Sequence, residues 1–408
     1  MYDTIVIGGG ASGMSAAIAA AEKKEKVVLL EKSDVLGRKL HASGNGRCNL
    51  MNTGLPVYYG DPGFASEVLD QVPSSSISAF FHHYGLVMTE TPDGRVYPYS
   101  LQSATVLSTL KMALKLNHVE VVLNSRVSEI RRNQTGFDVF CSDSVLFSAA
   151  RVIVCCGGAA QPRLGGTCDG YTLLQHLGHS VISPYPALSP VVTDLKSISG
   201  LSGIRISSSV SLYDRTVLLH QTSGELLFTD YGISGICVMQ LARFLHNSLH
   251  QLHFEIDYLS RAFPNETAIF EDMKRRRDLL AFFSPVSLLE GILPSRISYA
   301  VLKQAGIPLK GEKLESVSDS DLEKIVFTAT HYRIEAVEAR GMEYAQVTAG
   351  GISCDQFDPR TLQSRLVPGL FATGEVLNVD GDCGGFNLMF AFASGLIAGR
   401  SGMGDEKP

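Results

Sequence analysis

Tyr2-Asp3-Thr4-Ile5-Val6-Ile7-Gly8-Gly9-Gly10-Ala11-Ser12-Gly13 opens the chain, and Lys26-Val27-Val28-Leu29-Leu30-Glu31 follows a short way on. The first six residues read as a buried parallel strand and the next six as G-x-G-x-x-G. The Ala-rich stretch from Met14 to Lys24 reads as a helix, and the second apolar run as a strand ending on an acid. Each part has a physical task. Gly8 permits the tight turn, Gly10 lets the backbone approach a pyrophosphate, and Gly13 packs the helix against the strand. The helix start offers unpaired N–H groups and a positive dipole end to phosphates. Glu31 is placed to accept hydrogen bonds from a ribose hydroxyl pair. The spacing predicts a dinucleotide-binding head.

Working outward, 408 residues are too many for one compact core and predict two or three domains. A hydrophobic content of 45% with 19% charged residues is ordinary for a globular protein. A net charge of −6 offers no bulk attraction to nucleic acid or an anionic membrane, so neither is expected as a partner. The one basic run, Lys274-Arg275-Arg276-Arg277, reads as a solvated helix face or a phosphate contact. The first buried strand begins too early for a signal peptide to precede it. The longest apolar candidate, Met389 to Ala398, contains Ser394 and Gly395 and falls short of membrane-spanning length. Eight Cys without C-x-x-C pairs predict reduced thiols and a cytoplasmic location. Cys48 and Cys383 are too far apart in sequence for a dithiol motif and read as packing residues, as do Cys155 and Cys156. His82-His83 and His250 with His253 lack accompanying Cys or acids, so no metal site is expected.

Further along, Gly37-Arg38-Lys39-Leu40-His41-Ala42-Ser43-Gly44-Asn45-Gly46-Arg47-Cys48-Asn49 reads as a long polar loop, too rich in Gly, Arg and Asn for a simple connector. Helices are expected near 63–71, 75–84 and 102–116. Val119–Leu123, Val127–Arg131, Phe137–Cys141 and Val145–Phe147 read as a meander, and Val152–Cys156 as a separate buried strand ending at Gly157-Gly158. From about residue 187 the texture changes to alternating Ser and apolar residues, predicting a small antiparallel β unit over about 187–260. Ile236 to Leu245 reads as helical, and about 261–335 as mostly helical, with Ser318-Asp319-Ser320-Asp321 capping the last helix. Strand texture returns at Ala345–Thr348 and again at Gly369–Glu375, and an apolar helix, Asn387 to Gly399, follows.

The tail selects among dinucleotides. Val347-Thr348-Ala349-Gly350-Gly351-Ile352, Val367 to Glu375 and Asp382-Cys383-Gly384-Gly385-Phe386-Asn387-Leu388 form a second glycine-rich cradle, which an isoalloxazine ring needs and a nicotinamide dehydrogenase does not. Head and tail together resemble FAD-dependent oxidoreductases of the fumarate-reductase-like branch of the glutathione reductase superfamily. Three blocks narrow this: Gly37 to Asn49, Leu227-Phe228-Thr229-Asp230-Tyr231-Gly232-Ile233-Ser234-Gly235, and Gly374-Glu375-Val376-Leu377-Asn378-Val379-Asp380-Gly381. They resemble the aminoacetone-oxidase-type FAD-binding family, over nearly the whole chain. Asp230 stands where that family usually shows His, and Asn378 where it shows Asp.

The resemblance implies an α/β fold. A Rossmann-like FAD/NAD(P)-binding domain with a parallel sheet, 1–186 and 346–408, is interrupted by an inserted substrate or cap domain, 187–345. It implies that Gly8, Gly10, Ala11, Ser12 and Gly13 hold the pyrophosphate and Glu31 the adenosine ribose, with Arg38 and Lys39 at phosphate or adenosine. Ser43, Gly44, Asn45 and Gly46 would run beside the flavin, Val127 would touch adenine through its backbone, and Gly157 would close over the ribose. Glu375 takes the place of the acid at the ribityl chain or pyrophosphate. Gly385, Asn387 and Leu388 would start a helix aimed at the flavin pyrimidine edge. Lys32, Gly37 and Gly374 complete the cofactor set. Tyr231, Tyr332 and Arg333 are the substrate candidates, the arginine reading equally as a receptor for a carboxylate or as an ordinary surface salt bridge. The implied activity is an FAD-dependent, NAD(P)H-linked oxidoreductase, with FAD non-covalent and hydride passing through flavin N5 to or from a small molecule. Without a second G-x-G-x-x-G, the nicotinamide would visit transiently. The alternatives are an O₂-dependent amine or aminoketone oxidase, an RNA-modifying flavoprotein and a flavin redox sensor. No general acid or base is assigned.

Overall fold

Strand β1 (Tyr2–Ile7) is buried from Thr4 to Ile7 on both faces, as a central parallel strand requires. In the computed structural model, which describes residues 1–246 and 251–402, it runs into helix α1 (Ala11–Glu22) and pairs in parallel with β2 (Val27–Leu30). The segment expected as a loop after Glu31 contains a short helix, α2 (Arg38–Ala42), entered through Gly37 in the left-handed region at φ +72°. Leu40, its one buried residue, anchors that turn to the core, a single apolar contact that a polar sequence hides. Next come β3 (Met51–Asn52), β4 (Tyr58–Gly60), α3 (Pro62–Gln71), α4 (Ser74–His83), the hairpin β5 (Met88–Glu90) and β6 (Arg95–Pro98), and α5 (Ser103–Leu116).

The expected meander is corrected at both ends. Its first run, β7 (Glu120–Val122), pairs in parallel with β2 at the sheet edge. Only β8 (Val127–Arg132), β9 (Phe137–Cys141) and the start of β10 (Leu146–Val154) are antiparallel neighbours. The runs at Val145 and Val152 are one strand. Its first half pairs with β9, while Thr4 to Ile7 pair in parallel with its second half, so a single strand joins the meander to the parallel sheet. Arg151 interrupts the apolar pattern of β10, which is why two strands are read there. It is 2% exposed and bonds Glu25 at 2.7 Å and the carbonyls of Ala398 and Gly399 at 3.0 Å. Helix α6 (Asp169–His176) and strand β11 (Val181–Ala187) follow.

The chain divides into two compact units, Met1–Tyr185 with the segment from Gln346 onward, and Pro186–Ala345. Each has its own hydrophobic core. In the second unit β12 (Val191–Thr193), β13 (Arg205–Asp214), β14 (Val217–Phe228) and β15 (Gly232–Ser234) precede α7 (Ile236–Met239), which gives way to a 3₁₀ turn at Ala242–Leu245. After β16 (Leu252–Asp257) come α8 (Glu266–Leu279), α9 (Ser295–Gln304) and α10 (Asp319–Thr330), the last closed by a Ser318–Asp321 capping box. Strand β17 (Tyr332–Ala339) then pairs with both β16 and β12. The β unit is therefore a closed six-stranded barrel, β12-β15-β14-β13-β16-β17. Its last strand comes from beyond the helical stretch, where sequence texture placed the end of helical structure. Barrel residues Val210, Leu212, Phe228, Phe254 and Ile334 share one core with Ile269, Val301 and Ile325 of the helices.

In the first unit β18 (Val347–Ile352) pairs with β11, and β19 (Leu370–Ala372) extends the parallel sheet beside β10. Strand β20 (Val379–Gly381) pairs with β4, and α11 (Phe386–Arg400) packs on α1. Gly395 and Gly399 make that contact possible, because a Cβ on either would collide with the Ser12 or Ala16 carbonyl. Among the described residues no helix is long and apolar enough to cross a membrane.

Candidate cofactor site

The three head glycines have distinct tasks. Gly8 lies at φ +106°, and a Cβ there would sit 2.5 Å from the Cys155 carbonyl oxygen. A Cβ on Gly13 would collide with the Gly8 carbonyl. Around Gly10 nothing lies within 4 Å of such an atom. Two glycines thus serve packing and one faces open space. Helix α1 has no side-chain cap, so the N–H groups of Ala11, Ser12 and Gly13 have no partner four residues back. Glu31 braces the turn: its carboxylate accepts from the Gly9 N–H at 2.6 Å and the Ser33 N–H at 2.8 Å, leaving lone pairs over.

Each basic residue of the expected cofactor set has a carboxylate partner within the protein. Lys32 lies 3.8 Å from Asp169, which also binds Arg126 through both carboxylate oxygens. Burial works against ionisation of Asp169, but the Arg126 and Thr167 hydrogen bonds and the nearby cations outweigh it and hold its carboxyl below the usual range. Arg38 pairs with Asp34 on the surface. Lys39 reaches Glu375 at 2.7 Å. The other Glu375 oxygen accepts from the Thr348 N–H at 2.8 Å, and Thr348 Oγ1 accepts from the Ala160 N–H at 2.9 Å. Gly157, three residues beyond the end of β10, lies at φ +71°, and a Cβ there would be 3.9 Å from Glu375 Oε2. Gly374 donates to Ser394 Oγ at 3.0 Å. Beside this group the Tyr171 hydroxyl is buried without a hydrogen-bond partner among the described residues, and burial together with the Glu375 charge pushes its pKa far up. Thr348 was legible only as part of the glycine-rich cradle, and Tyr171, in the mixed polar segment Asp169–His176, carries no motif that marks it. Val127 begins β8 opposite Cys141, with Ser142 N–H bonded to the Arg126 carbonyl beside it.

At the other end Gly385 opens α11 at φ +106°, with no side-chain cap. A Cβ there would lie 2.7 Å from both Asn49 Oδ1 and the Met51 carbonyl. Asn49 Oδ1 is a buried acceptor without a partner among the described residues. Asn387 turns back: its amide oxygen accepts from the Gly381 N–H at 2.8 Å and its Nδ2 donates to the Gly381 carbonyl at 2.7 Å. Its contribution at the helix start is thus to hold the loop, with the helical N–H groups of Asn387 and Leu388 left at the terminus. Ser43 to Gly46 form a turn with Gly44 at φ +57° and Asn45 at φ +54°, exposed from Gly44 on. Both nearby cysteines are free thiols. Burial pushes Cys48 up to about 12 and raises Cys383.

These features fit FAD. Open space at Gly10 beside an uncapped helix start suits the pyrophosphate. An orphaned acceptor beside a second uncapped start suits a ring edge whose N–H lies between two carbonyls. With that fit, Gly10 to Gly13 would hold the phosphates, Glu31 the ribose, and Glu375, positioned by Lys39, the chain linking phosphate to ring.

In the second unit the candidates separate. Tyr332 is buried and donates to the Ser197 carbonyl at 2.5 Å, and Arg333 pairs with Glu335 at 2.6 Å. Both side chains are already occupied, because alternation along β17 points one into the core and the other at a neighbour on its own face. Tyr231 stacks on a guanidinium absent from the sequence reading, that of Arg340, at 4.0 Å.

Fold and site define a flavoprotein, an FAD-dependent oxidoreductase built on a Rossmann domain. Residues 2–401 match the family described as HI0933-like protein Rossmann domain, and the chain belongs to that family. It is 35% identical over 405 residues to a 3-dehydro-bile acid delta(4,6)-reductase of Clostridium scindens, covering 97% of this chain and 98% of that one. It is 26% identical to a ribosomal RNA dihydrouridine synthase of Escherichia coli, covering 98% and 99%. An open flavocytochrome c3 fumarate reductase structure aligns at 16% identity and TM-score 0.49 over 98% of this chain and 77% of its own.

Proposed function

We propose that the protein saturates a carbon–carbon double bond conjugated to a carbonyl in a small, largely apolar molecule, with NAD(P)H as electron source. Both relatives' names denote saturation of such a bond, one in a 3-oxo steroid acid and the other in a uracil ring. FAD, when bound, would supply hydride transfer from a nicotinamide to an electron-poor carbon, with a proton from solvent completing the saturated bond. The chain's own residues bind and orient it, and the nicotinamide visits the same site in turn, there being no second G-x-G-x-x-G.

One observation favours a small molecule over RNA. The basic run on α8 is matched by carboxylates: Lys274 and Arg277 pair with Asp319, and Arg275 and Arg276 with Asp272. Four cations spent in this way offer little to a phosphate backbone. Eight free thiols suit the reducing cytoplasm in which we place the protein.

Anaerobic NADH or NADPH should bleach the flavin, and 3-oxo-4-cholenoic acid should restore its colour with loss of the steroid double bond. Bleaching by amines with rapid return of colour in air would instead identify an amine oxidase. RNA binding with a steep salt dependence would replace the steroid reading.

A further inference from the structure

We infer that Arg340 is a receptor for a carboxylate carried by the substrate. Its guanidinium carbon lies 3.3 Å from the Tyr344 ring centre and 4.0 Å from that of Tyr231. Two rings so near one carbon must take opposite faces of the planar group. Backbone bonds hold all three residues. The Arg340 N–H donates to the Pro190 carbonyl at 2.8 Å, and its own carbonyl accepts from Ser189 Oγ at 2.6 Å. Tyr231 sits in a turn closed by Thr229 and Gly232, and the Tyr344 N–H donates to the Gly341 carbonyl at 2.9 Å.

Among the described residues the guanidinium has no hydrogen bond and no ion pair, in contrast to that of Arg333 on β17, the strand that ends just before Arg340. With both faces covered, its remaining valence is the in-plane fork of N–H donors. That fork matches a planar carboxylate through two parallel hydrogen bonds, and the clamped side chain loses little freedom on binding. Residue type and sequence position alone point to Arg333; geometry moves the role seven positions along the chain. The inference rests on the proposed reduction only for the identity of the molecule bearing the carboxylate.

The test uses the full FAD-loaded chain. Phenylglyoxal labelling of Arg340, read by peptide mass spectrometry, should be blocked by millimolar benzoate and not by benzamide. Equal labelling with and without benzoate overturns the inference. So does protection by NADPH alone, which would assign the fork to phosphate, and so does an Arg340 that takes no label, which would have no accessible edge. In a second arm, flavin absorbance follows titration with 3-oxo-4-cholenoic acid and its methyl ester. Arg340→Gln should weaken the acid roughly tenfold or more and leave the ester unchanged, with Arg340→Lys recovering part of the loss. Equal weakening of acid and ester overturns the inference. Protection by benzoate with neither steroid bound leaves the carboxylate receptor standing and removes the steroid reading.

Discussion

Gly8, Gly10 and Gly13 are one residue type with two physical uses. At Gly8 and Gly13 a side chain would strike backbone, whereas at Gly10 it would meet only open space. Gly10→Val should therefore fold with an unchanged melting temperature as apoprotein and purify without FAD. Gly13→Val should cost about 3 kcal/mol or more through overpacking. Flavin absorbance per chain and thermal unfolding of the apoproteins separate the two, and a yellow Gly10→Val protein would sink the assignment of this turn. Asn378 shows the same dependence on surroundings. Its amide donates to Asp61 at 2.9 Å, so the Asp usual at that position in the resembling family would here face a carboxylate. A departure in sequence is thus matched by a partner more than three hundred positions away.

At the scale of the element, α11 is an apolar helix whose two ends are built differently. Its C-terminal carbonyls are gathered by Arg151, which reaches from the middle of β10. Its N-terminus has no capping side chain, so its positive end is uncapped. Negative charge on a reduced ring would be stabilised there by on the order of 0.3–2 kcal/mol. Gly385→Leu would press on the Met51 backbone and shift that terminus. With FAD retained by the intact head, the flavin midpoint potential should fall by on the order of 10–40 mV. Spectroelectrochemistry of the loaded variant checks this, and an unchanged potential would leave α11 a packing element. The boundaries of α3, α4 and α5 were legible in their apolar spacing, as was the Ser318 cap of α10. Helix α2 was not, because one buried leucine among polar residues sets up no periodicity.

At the scale of the whole molecule, the two units differ in how they are written along the chain. Pro186–Ala345 is continuous and contains every strand of its barrel, so expressed alone it should unfold cooperatively with a defined near-ultraviolet dichroism spectrum. A molten or insoluble product would show that its core is incomplete. Residues 1–185 lack β19, β20 and α11 and should neither hold FAD nor fold cooperatively on their own.

The same contrast separates what was readable from what was not. The sequence by itself determined the β1–α1–β2 head, the apolar helices and the alternating strands of the insert, because each carries its signal, glycine spacing or apolar period, within a few neighbouring positions. Only the tertiary structure decided that two apparent strands are one around Arg151, that β17 closes a barrel begun at β12, and that Lys39 is held by Glu375. It also decided that Arg333 is spent on Glu335 while Arg340 stacks between Tyr231 and Tyr344. These outcomes depend on pairings across tens to hundreds of residues, whose geometry is set when the cores close and leaves no periodic trace along the chain.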